Sequence, residues 1–296
     1  MNTLGIILAG GRSSRLYPAT IAATKQLLPV YDKPLIYYPL STLMLLGIRN
    51  YVIITTPEER TTFEKLFWNT GWEFGIDVTF AVQAEPKGIA DAFNVIKSAI
   101  DVSEYDKSVL ILGDNIFYGS YMSKLFSDLS TSPDAGIVLK RIQGREAHRF
   151  GIAEWEEGTS VIENIIEKPT EPMDGWVDMV TGLYFFPSDV YSKVSKIQPS
   201  ARGELEITDL INLYAKEDRL DYAELLRGMI LYDTGTPDSL NDASNFIRGL
   251  QAQGTMVGSP HEIAYNNKWI ARDQLLDSCN KFSKSEYGAY LKELVI

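Results

Sequence analysis

The sequence predicts an α/β protein built in three layers, with a mixed, mainly parallel central sheet and a helical C-terminal subdomain. Three observations carry that expectation. Short runs such as Leu4–Leu8 and Val109–Leu112 are apolar at every position, as strands covered on both faces must be. Longer stretches with helical spacing separate these runs, which is the alternation that produces a parallel sheet. Beyond Thr236-Pro237 only helical patterns remain. With 296 residues and 45 % apolar side chains, the chain can bury a sizeable core.

In order, strands are expected at Leu4–Leu8, Tyr51–Thr55, Val78–Val82 and Val109–Leu112, and helices at Pro34–Leu46, Pro57–Thr70 and Ile89–Ile100. Thr56-Pro57-Glu58-Glu59 reads as a capping box with proline at the first helical position, and Gly47 as a helix stop. From Ala135 the connections shorten. Ala135–Arg141, Gly151–Trp155, Val161–Glu167 and Val180–Phe186 read as a mixed or antiparallel extension of the sheet. Gly203–Lys216 is expected to be helical and Met229–Asp233 to be a last strand, and Ser259-Pro260-His261-Glu262 reads as a second capping box. No internal repeat or linker is visible. The division expected is a core over 1–237 and a helical subdomain over 238–296.

Charge narrows the function. Asp and Glu number 39 against 28 Lys and Arg, a net charge of −11, which repels a nucleic-acid backbone. No apolar run is long enough to span a membrane, and the N-terminus lacks the charged-then-apolar pattern of a secretion signal. The lone Cys279 permits no internal disulfide and no cysteine cage; it is expected to be a small buried residue in a cytoplasmic protein. Against this acidic background the stretch Ala9–Lys25 carries Arg12, Arg15 and Lys25, with no acid before Asp32. It is suited to a small anionic ligand accompanied by a divalent metal.

In open α/β sheets ligands sit beyond the carboxyl ends of the strands. Three polar loops follow apolar strands here: Ala9–Lys25, Gly113-Asp114-Asn115 and Asp233-Thr234-Gly235. Backbone amides in such glycine turns form anion-binding concavities. Asp114 and Asp233, from separate strand ends, could share one Mg²⁺, which takes few carboxylates and completes its shell with phosphate and water; either could equally be a turn or helix-cap residue. His148 and His261 have no acid or nucleophile beside them in sequence and read as surface or capping residues. The dinucleotide fingerprint is absent, because Gly10-Gly11-Arg12-Ser13-Ser14-Arg15 lacks its spacing, and no Gly-Lys pair exists to make a P-loop.

Seven motifs in order along nearly the whole chain, LAGGRSSRLYPATIAATKQLLPVYDKPLIYYPL, LGDNIFYG, IEKP, VTGLYFF, RGELEITD, DTGTPDSL and EIAYNNKWI, closely resemble the sugar nucleotidyltransferases, and within them the glucose-1-phosphate thymidylyltransferase family. The resemblance implies a Rossmann-like nucleotidyltransferase fold and the reaction of dTTP with glucose 1-phosphate to give dTDP-glucose and pyrophosphate. It implies that Leu8, Gly10, Gly11, Gln83 and Gly88 meet the nucleoside, that Arg15 holds the leaving pyrophosphate, and that Lys25 holds the α-phosphate. Asp114 and Asp233 would hold Mg²⁺. Asn115, Gly151, Glu167, Val180 and Tyr184 would surround the hexose, with Lys168 and Arg202 on its phosphate. The resemblance further implies a homotetramer, feedback by a downstream product such as dTDP-rhamnose, and a place in dTDP-deoxysugar synthesis. A uridylyl- or amino-sugar-specific variant is the nearest alternative, and a regulatory nucleotide-sugar-binding subunit is the non-enzyme alternative; retention of Arg15, Lys25, Asp114, Asp233 and Lys168 favours the enzyme. Two departures stand out. The family's glycine between Gly11 and Arg15 is replaced by Ser13, which is expected to adopt an ordinary backbone conformation and to donate its hydroxyl to a phosphate. Phe150 stands where close relatives often have tyrosine.

Overall fold

The structure, a computed structural model, describes residues 1–11 and 13–296; Arg12, one of the three cations of the opening loop, lies outside the described residues. The first apolar run folds as β1 (Thr3–Leu8). A small hairpin of β2 (Pro29–Val30) and β3 (Lys33–Pro34) leads to α1 (Tyr37–Met44), β4 (Asn50–Thr55), α2 (Arg60–Leu66), α3 (Thr70–Glu73), β5 (Asp77–Val82) and α4 (Ala92–Ala99). Next come β6 (Lys107–Leu112), β7 (Asn115–Tyr118), α5 (Met122–Thr131), β8 (Ala135–Gln143), β9 (Gly151–Trp155), β10 (Ile162–Glu167) and β11 (Trp176–Pro187). Then follow α6 (Val190–Lys193), α7 (Ile207–Ala215), β12 (Leu220–Glu224) and β13 (Ile230–Asp233). The chain closes with α8 (Pro237–Gln251), α9 (Pro260–Asn266), α10 (Arg272–Lys281) and α11 (Glu286–Glu293).

The central sheet runs β10-β9-β11-β6-β1-β4-β5, with β8 also paired to β11 and β12 paired to β8. Strands β6, β1, β4 and β5 form the parallel block, and β11 runs antiparallel to β6, β8 and β9. This is the mixed sheet the sequence predicts. Successive residues of a strand face opposite sides, so Ile7 joins one apolar layer with Leu40, Phe63 and Phe126, while Ile6 joins the other with Phe93, Leu210 and Tyr214. Helices therefore cover both faces. Buried residues of the last helices, among them Ile263, Leu275, Cys279 and Leu291, belong to the same layer as Ile7. Ser259 caps α9 by accepting a bond from the Glu262 N–H, and Thr236 caps α8 by accepting one from Ser239.

Several helices begin later than their sequence patterns suggest, and each time a distant partner takes the backbone or side chain that would have started them. Residues 34–36 pair into the hairpin and its loop, Leu35 donating to Leu28 and Ile36 to Gln26, so α1 waits until Tyr37. The Thr56 capping box does not form. The Glu59 carboxyl is turned towards the backbone of Thr24 instead, and α2 starts at Arg60 without a side-chain cap. Leu205 bonds to Lys87 and Ala90, which holds residues 203–206 out of α7. His261 also departs from expectation. It is fully buried between Phe74, Phe282 and Tyr287, Nδ1 lies 3.0 Å from the Tyr287 hydroxyl, and burial lowers its pKa. His148 is exposed.

Candidate active site

From β1 the chain proceeds to β4 and β5 on one side and then places β6 on the other. The loops leaving β1 and β6 consequently diverge, and such a switch point opens a crevice at the carboxyl end of the sheet. Gly10 and Gly11 leave β1 at this crevice, and Asp114 leaves β6.

A second device brings in the third loop. Strand β13 does not join the main sheet; it pairs antiparallel with β7, setting Asp233 opposite Asn115. The next residue, Thr234, is fully buried and donates twice to the Asp114 carbonyl, from its N–H at 3.1 Å and its hydroxyl at 2.8 Å. Two carboxylates far apart in sequence thus share one recess.

Cations from three elements meet them. Lys25 Nζ pairs with Asp114 Oδ2. Arg149 Nη2 lies 3.6 Å from Asp233 Oδ2. A Cβ on Gly235 would lie 2.9 Å from Arg15 Nη2 and 3.1 Å from Asp233 Oδ1, so the Arg15 guanidinium rests against bare backbone beside that carboxylate. Burial, and then the Asp114 charge, push the Asp233 carboxyl above its usual range, against the pull of Lys25, Arg149 and Arg15.

The recess lies in the second of two adjoining lobes of one cleft. Leu8, Gly10, Gly11, Gln83 and Gly88 line the first lobe, with Thr56 and Glu58. Asn115, Gly151, Val180 and Tyr184 line the second, with Asp114, Asp233, Arg149 and Phe150. Arg15, Ile89, Glu167, Lys168 and Ile207 line both, so the lobes are continuous. Gly88 is at φ +98°, and a Cβ there would fall 2.3 Å from the Leu205 carbonyl oxygen; only glycine fits this close approach in the wall of the first lobe. Tyr184 is buried, and desolvation followed by the Glu167 and Asp114 charges raises its pKa, keeping the phenol protonated.

Glu167 is the best-connected side chain of the second lobe. It receives Lys168 Nζ at 3.0 Å, Arg202 Nη2 at 3.1 Å and the Thr208 hydroxyl at 3.2 Å. Arg202 itself is not part of the cleft wall: Glu206 binds it at 2.8 Å and Glu204 lies at 3.6 Å. Lys25 likewise stands behind the wall, reaching the recess through Asp114. Arg149 and Thr208 are wall residues that the sequence reading passed over. A lone arginine before a strand carries no local signal of a site, and Thr208, though inside the RGELEITD motif, reads as an ordinary helix residue.

Residues 4–249 match the profile of the nucleotidyl transferase family. A glucose-1-phosphate thymidylyltransferase of Neisseria meningitidis is 41 % identical over 292 residues, covering 98 % of this chain and 99 % of the relative. The chain belongs to the glucose-1-phosphate thymidylyltransferase family. Another member, from Xanthomonas campestris pv. campestris, is 42 % identical over 98 % of this chain and 96 % of its own length. A solved structure from Bacillus anthracis, assigned to the same family and in complex with sucrose, superposes with a TM-score of 0.72 at 35 % identity, covering 88 % of this chain and 99 % of that one. A UDP-glucose pyrophosphorylase complexed with UDP-glucose shares the fold, with a TM-score of 0.71 over 84 % of this chain and 99 % of that chain, at 23 % identity.

One expectation about this member of the family fails. Ser13 has φ 47° and ψ 34°, the left-handed region, and not an ordinary conformation. The turn requires it: the Ser13 carbonyl accepts from the Leu16 N–H at 3.0 Å and from the Thr20 hydroxyl at 2.8 Å. The serine hydroxyl is buried without a partner among the described residues. A non-glycine residue held left-handed costs about 1–2 kcal/mol. Ser13→Gly is therefore expected to raise the melting temperature by about 2 °C, since part of that relief is offset by glycine's greater freedom in the unfolded chain. Thermal melts with and without dTTP check it; a lower melting temperature together with weaker dTTP binding would give the hydroxyl its phosphate role back.

Asp114 and Asp233 also pass a chemical test as cation ligands. They are hard oxygen donors in one recess whose mutual repulsion already disfavours the ionised form of Asp233. Among the described residues no group of three His, Cys, Asp or Glu side chains is arranged around a metal. A cation there would take two carboxylates from the protein and the rest from phosphate and water, the habit of Mg²⁺.

Proposed function

We infer that this chain transfers the thymidylyl group of dTTP to glucose 1-phosphate, forming dTDP-glucose and pyrophosphate. The observation that carries this reading is that the two lobes adjoin along a shared wall that includes Arg15 and Lys168, with Asp114 and Asp233 converging in the second lobe. A phosphate oxygen of the sugar attacks the α-phosphorus in line; the bond to the β-phosphate oxygen breaks, and its electron pair leaves with pyrophosphate. Positioning and charge stabilisation dominate such a transfer.

The nucleoside lies over Leu8, Gly10 and Gly11, with its base edge at Gln83 and Gly88. Lys25, aimed by Asp114, stabilises charge gathering on the α-phosphate, and Arg15 holds the leaving pyrophosphate. Lys168 takes the sugar phosphate. Arg202 aims Glu167, whose carboxylate accepts from hexose hydroxyls, while Asn115, Gly151, Val180 and Tyr184 enclose the ring. Mg²⁺, held by Asp114 and Asp233 when bound, supplies further neutralisation of the phosphates. Phe150 leaves the sugar lobe without one hydroxyl that tyrosine would offer, which is why an amino-sugar phosphate is the substrate to test beside glucose 1-phosphate.

The reading extends to a homotetramer in the cytoplasm, supplying dTDP-deoxysugar synthesis under feedback by a product such as dTDP-rhamnose. In keeping with it, no helix among the described residues is long and apolar enough to cross a membrane, and the net charge of −11 opposes nucleic-acid binding.

Pyrophosphate release from a panel of nucleoside triphosphates and sugar 1-phosphates tests the reading. Turnover should be best with dTTP and glucose 1-phosphate. UTP should follow about 10- to 100-fold behind, because a methyl group offers only about 1–3 kcal/mol of discrimination. Purine triphosphates should be rejected. A clear preference for ATP or GTP would overturn the base-lobe assignment.

A further inference from the structure

Gln83 lines the nucleoside lobe, and its amide nitrogen has two partners: Asp91 Oδ2 at 2.9 Å and the Gly88 carbonyl oxygen at 3.3 Å. A carboxylate and a carbonyl can only accept hydrogen bonds. Together they therefore require the NH₂ group of Gln83 to face them. The other end of the amide, Oε1, is turned away from these acceptors and has no donor among the described residues.

Asp91 is well placed to impose this orientation and does nothing else of comparable importance. It precedes α4 at the N-cap position, yet its carboxylate makes no bond to the helix's free N–H groups. One oxygen takes Gln83 and the other takes Asn94 Nδ2 at 3.2 Å. A negative charge at the start of α4 is favoured by the helix dipole.

We propose that Asp91 is a specificity-determining residue that locks the Gln83 amide with its oxygen towards the base, so that the cleft accepts thymine and uracil and refuses cytosine. The proposal rests on the reading of Gln83 as the base contact. Thymine and uracil present an N3–H donor, which Oε1 accepts. Cytosine presents a bare N3 acceptor at the same position, and two acceptors repel. Were the amide reversed, its NH₂ would suit cytosine instead. Asp91 acts through Gln83 and touches no substrate, so its loss should alter base choice and leave the chemical step nearly intact.

Asp91→Asn removes the acceptor-only character while keeping size and a residue type equally suited to a helix N-cap. Steady-state pyrophosphate release with dTTP, UTP and dCTP at saturating glucose 1-phosphate, in the full-length enzyme, reads the effect. The KM for dTTP and UTP should rise about tenfold with kcat largely kept, the scale expected for losing a hydrogen bond to a charged group. The kcat/KM ratio of dCTP to dTTP should rise by about the same factor. Asp91→Asn should add nothing in a Gln83→Ala background, because the residue it orients is gone. If Gln83→Ala changes KM and base choice but Asp91→Asn changes neither, the proposal falls and the base reading stands. If Gln83→Ala also leaves both unchanged, the base reading falls and takes the proposal with it. Equal losses of kcat with all three nucleotides and an unchanged ratio would mark Asp91 as merely structural, and would overturn the proposal too.

Discussion

Asp114→Asn and Asp233→Asn should each lower kcat by about three orders of magnitude, equivalent to about 4 kcal/mol of transition-state stabilisation, with the protein still folded. Both carboxylates lie in one recess of the second lobe, and both are proposed to hold Mg²⁺. The two variants should differ in stability. Asp114 is the ion-pair partner of Lys25, and its neutralisation strands a cation that is largely shielded from water. Breaking a shielded pair from one side is costly, so Asp114→Asn should melt at a lower temperature. Asp233 is the opposite case: burial and the Asp114 charge disfavour its ionised form. A neutral asparagine there removes the repulsion, so at neutral pH Asp233→Asn should melt at or above the temperature of the parent protein. Residual turnover in both should demand more Mg²⁺. Normal turnover with unchanged Mg²⁺ dependence in either variant would remove that residue from the site, and equal melting temperatures would remove the electrostatic argument.

Arg15→Ala and Lys25→Ala follow, with kcat reduced by about two to three decades, or roughly 3–4 kcal/mol, the effect of deleting one group aimed at developing charge. Their positions differ. Arg15 lies against Gly235 beside Asp233 and faces both lobes, so its loss should also weaken pyrophosphate in the reverse reaction. Lys25 stands behind Asp114, and its removal leaves that carboxylate facing Asp233 with less compensation. Lys25→Ala should consequently lower the Mg²⁺ concentration needed for its residual turnover, and by more than Arg15→Ala does. In both, the KM for glucose 1-phosphate should move far less than kcat. A raised KM for the sugar phosphate as the sole change would show that these cations bind that substrate and do not act on the transferring group.

Part of the site is legible along the chain because it leaves β1 and β6, which are marked by continuous apolar runs, while β5 and β10 show as only partly buried strand patterns. Leu8 ends β1, Gln83 follows β5, Asp114 follows β6 and Glu167 ends β10, and the strands of the parallel block lie within two or three residues of their expected bounds. Burial on both faces is a local pattern, so reading it needs no knowledge of neighbours. The C-terminal helices are legible for the same kind of reason, since Ser259 and Thr236 cap them with side chains a few residues away.

What is not legible has a distant partner in each case. The Thr56 capping box is a sound local signal, but Glu59 is turned towards the distant Thr24 backbone and α2 begins uncapped at Arg60. The helix expected from Gly203 gives way because Leu205 is tied to the segment around Gly88. His261 carries no sequence sign of burial, which comes from Phe74 and Tyr287 closing around it. Ser13 is forced into the left-handed region by the bonds its carbonyl makes to Leu16 and Thr20, against its own preference. The meeting of Asp114 with Asp233 depends on β13 choosing β7 over the main sheet. Hydrophobic periodicity specifies which side of a segment is buried, whereas the hydrogen-bond and charge partners offered by remote segments decide where a helix starts, which carboxylates share a recess, and which way an amide such as Gln83 faces.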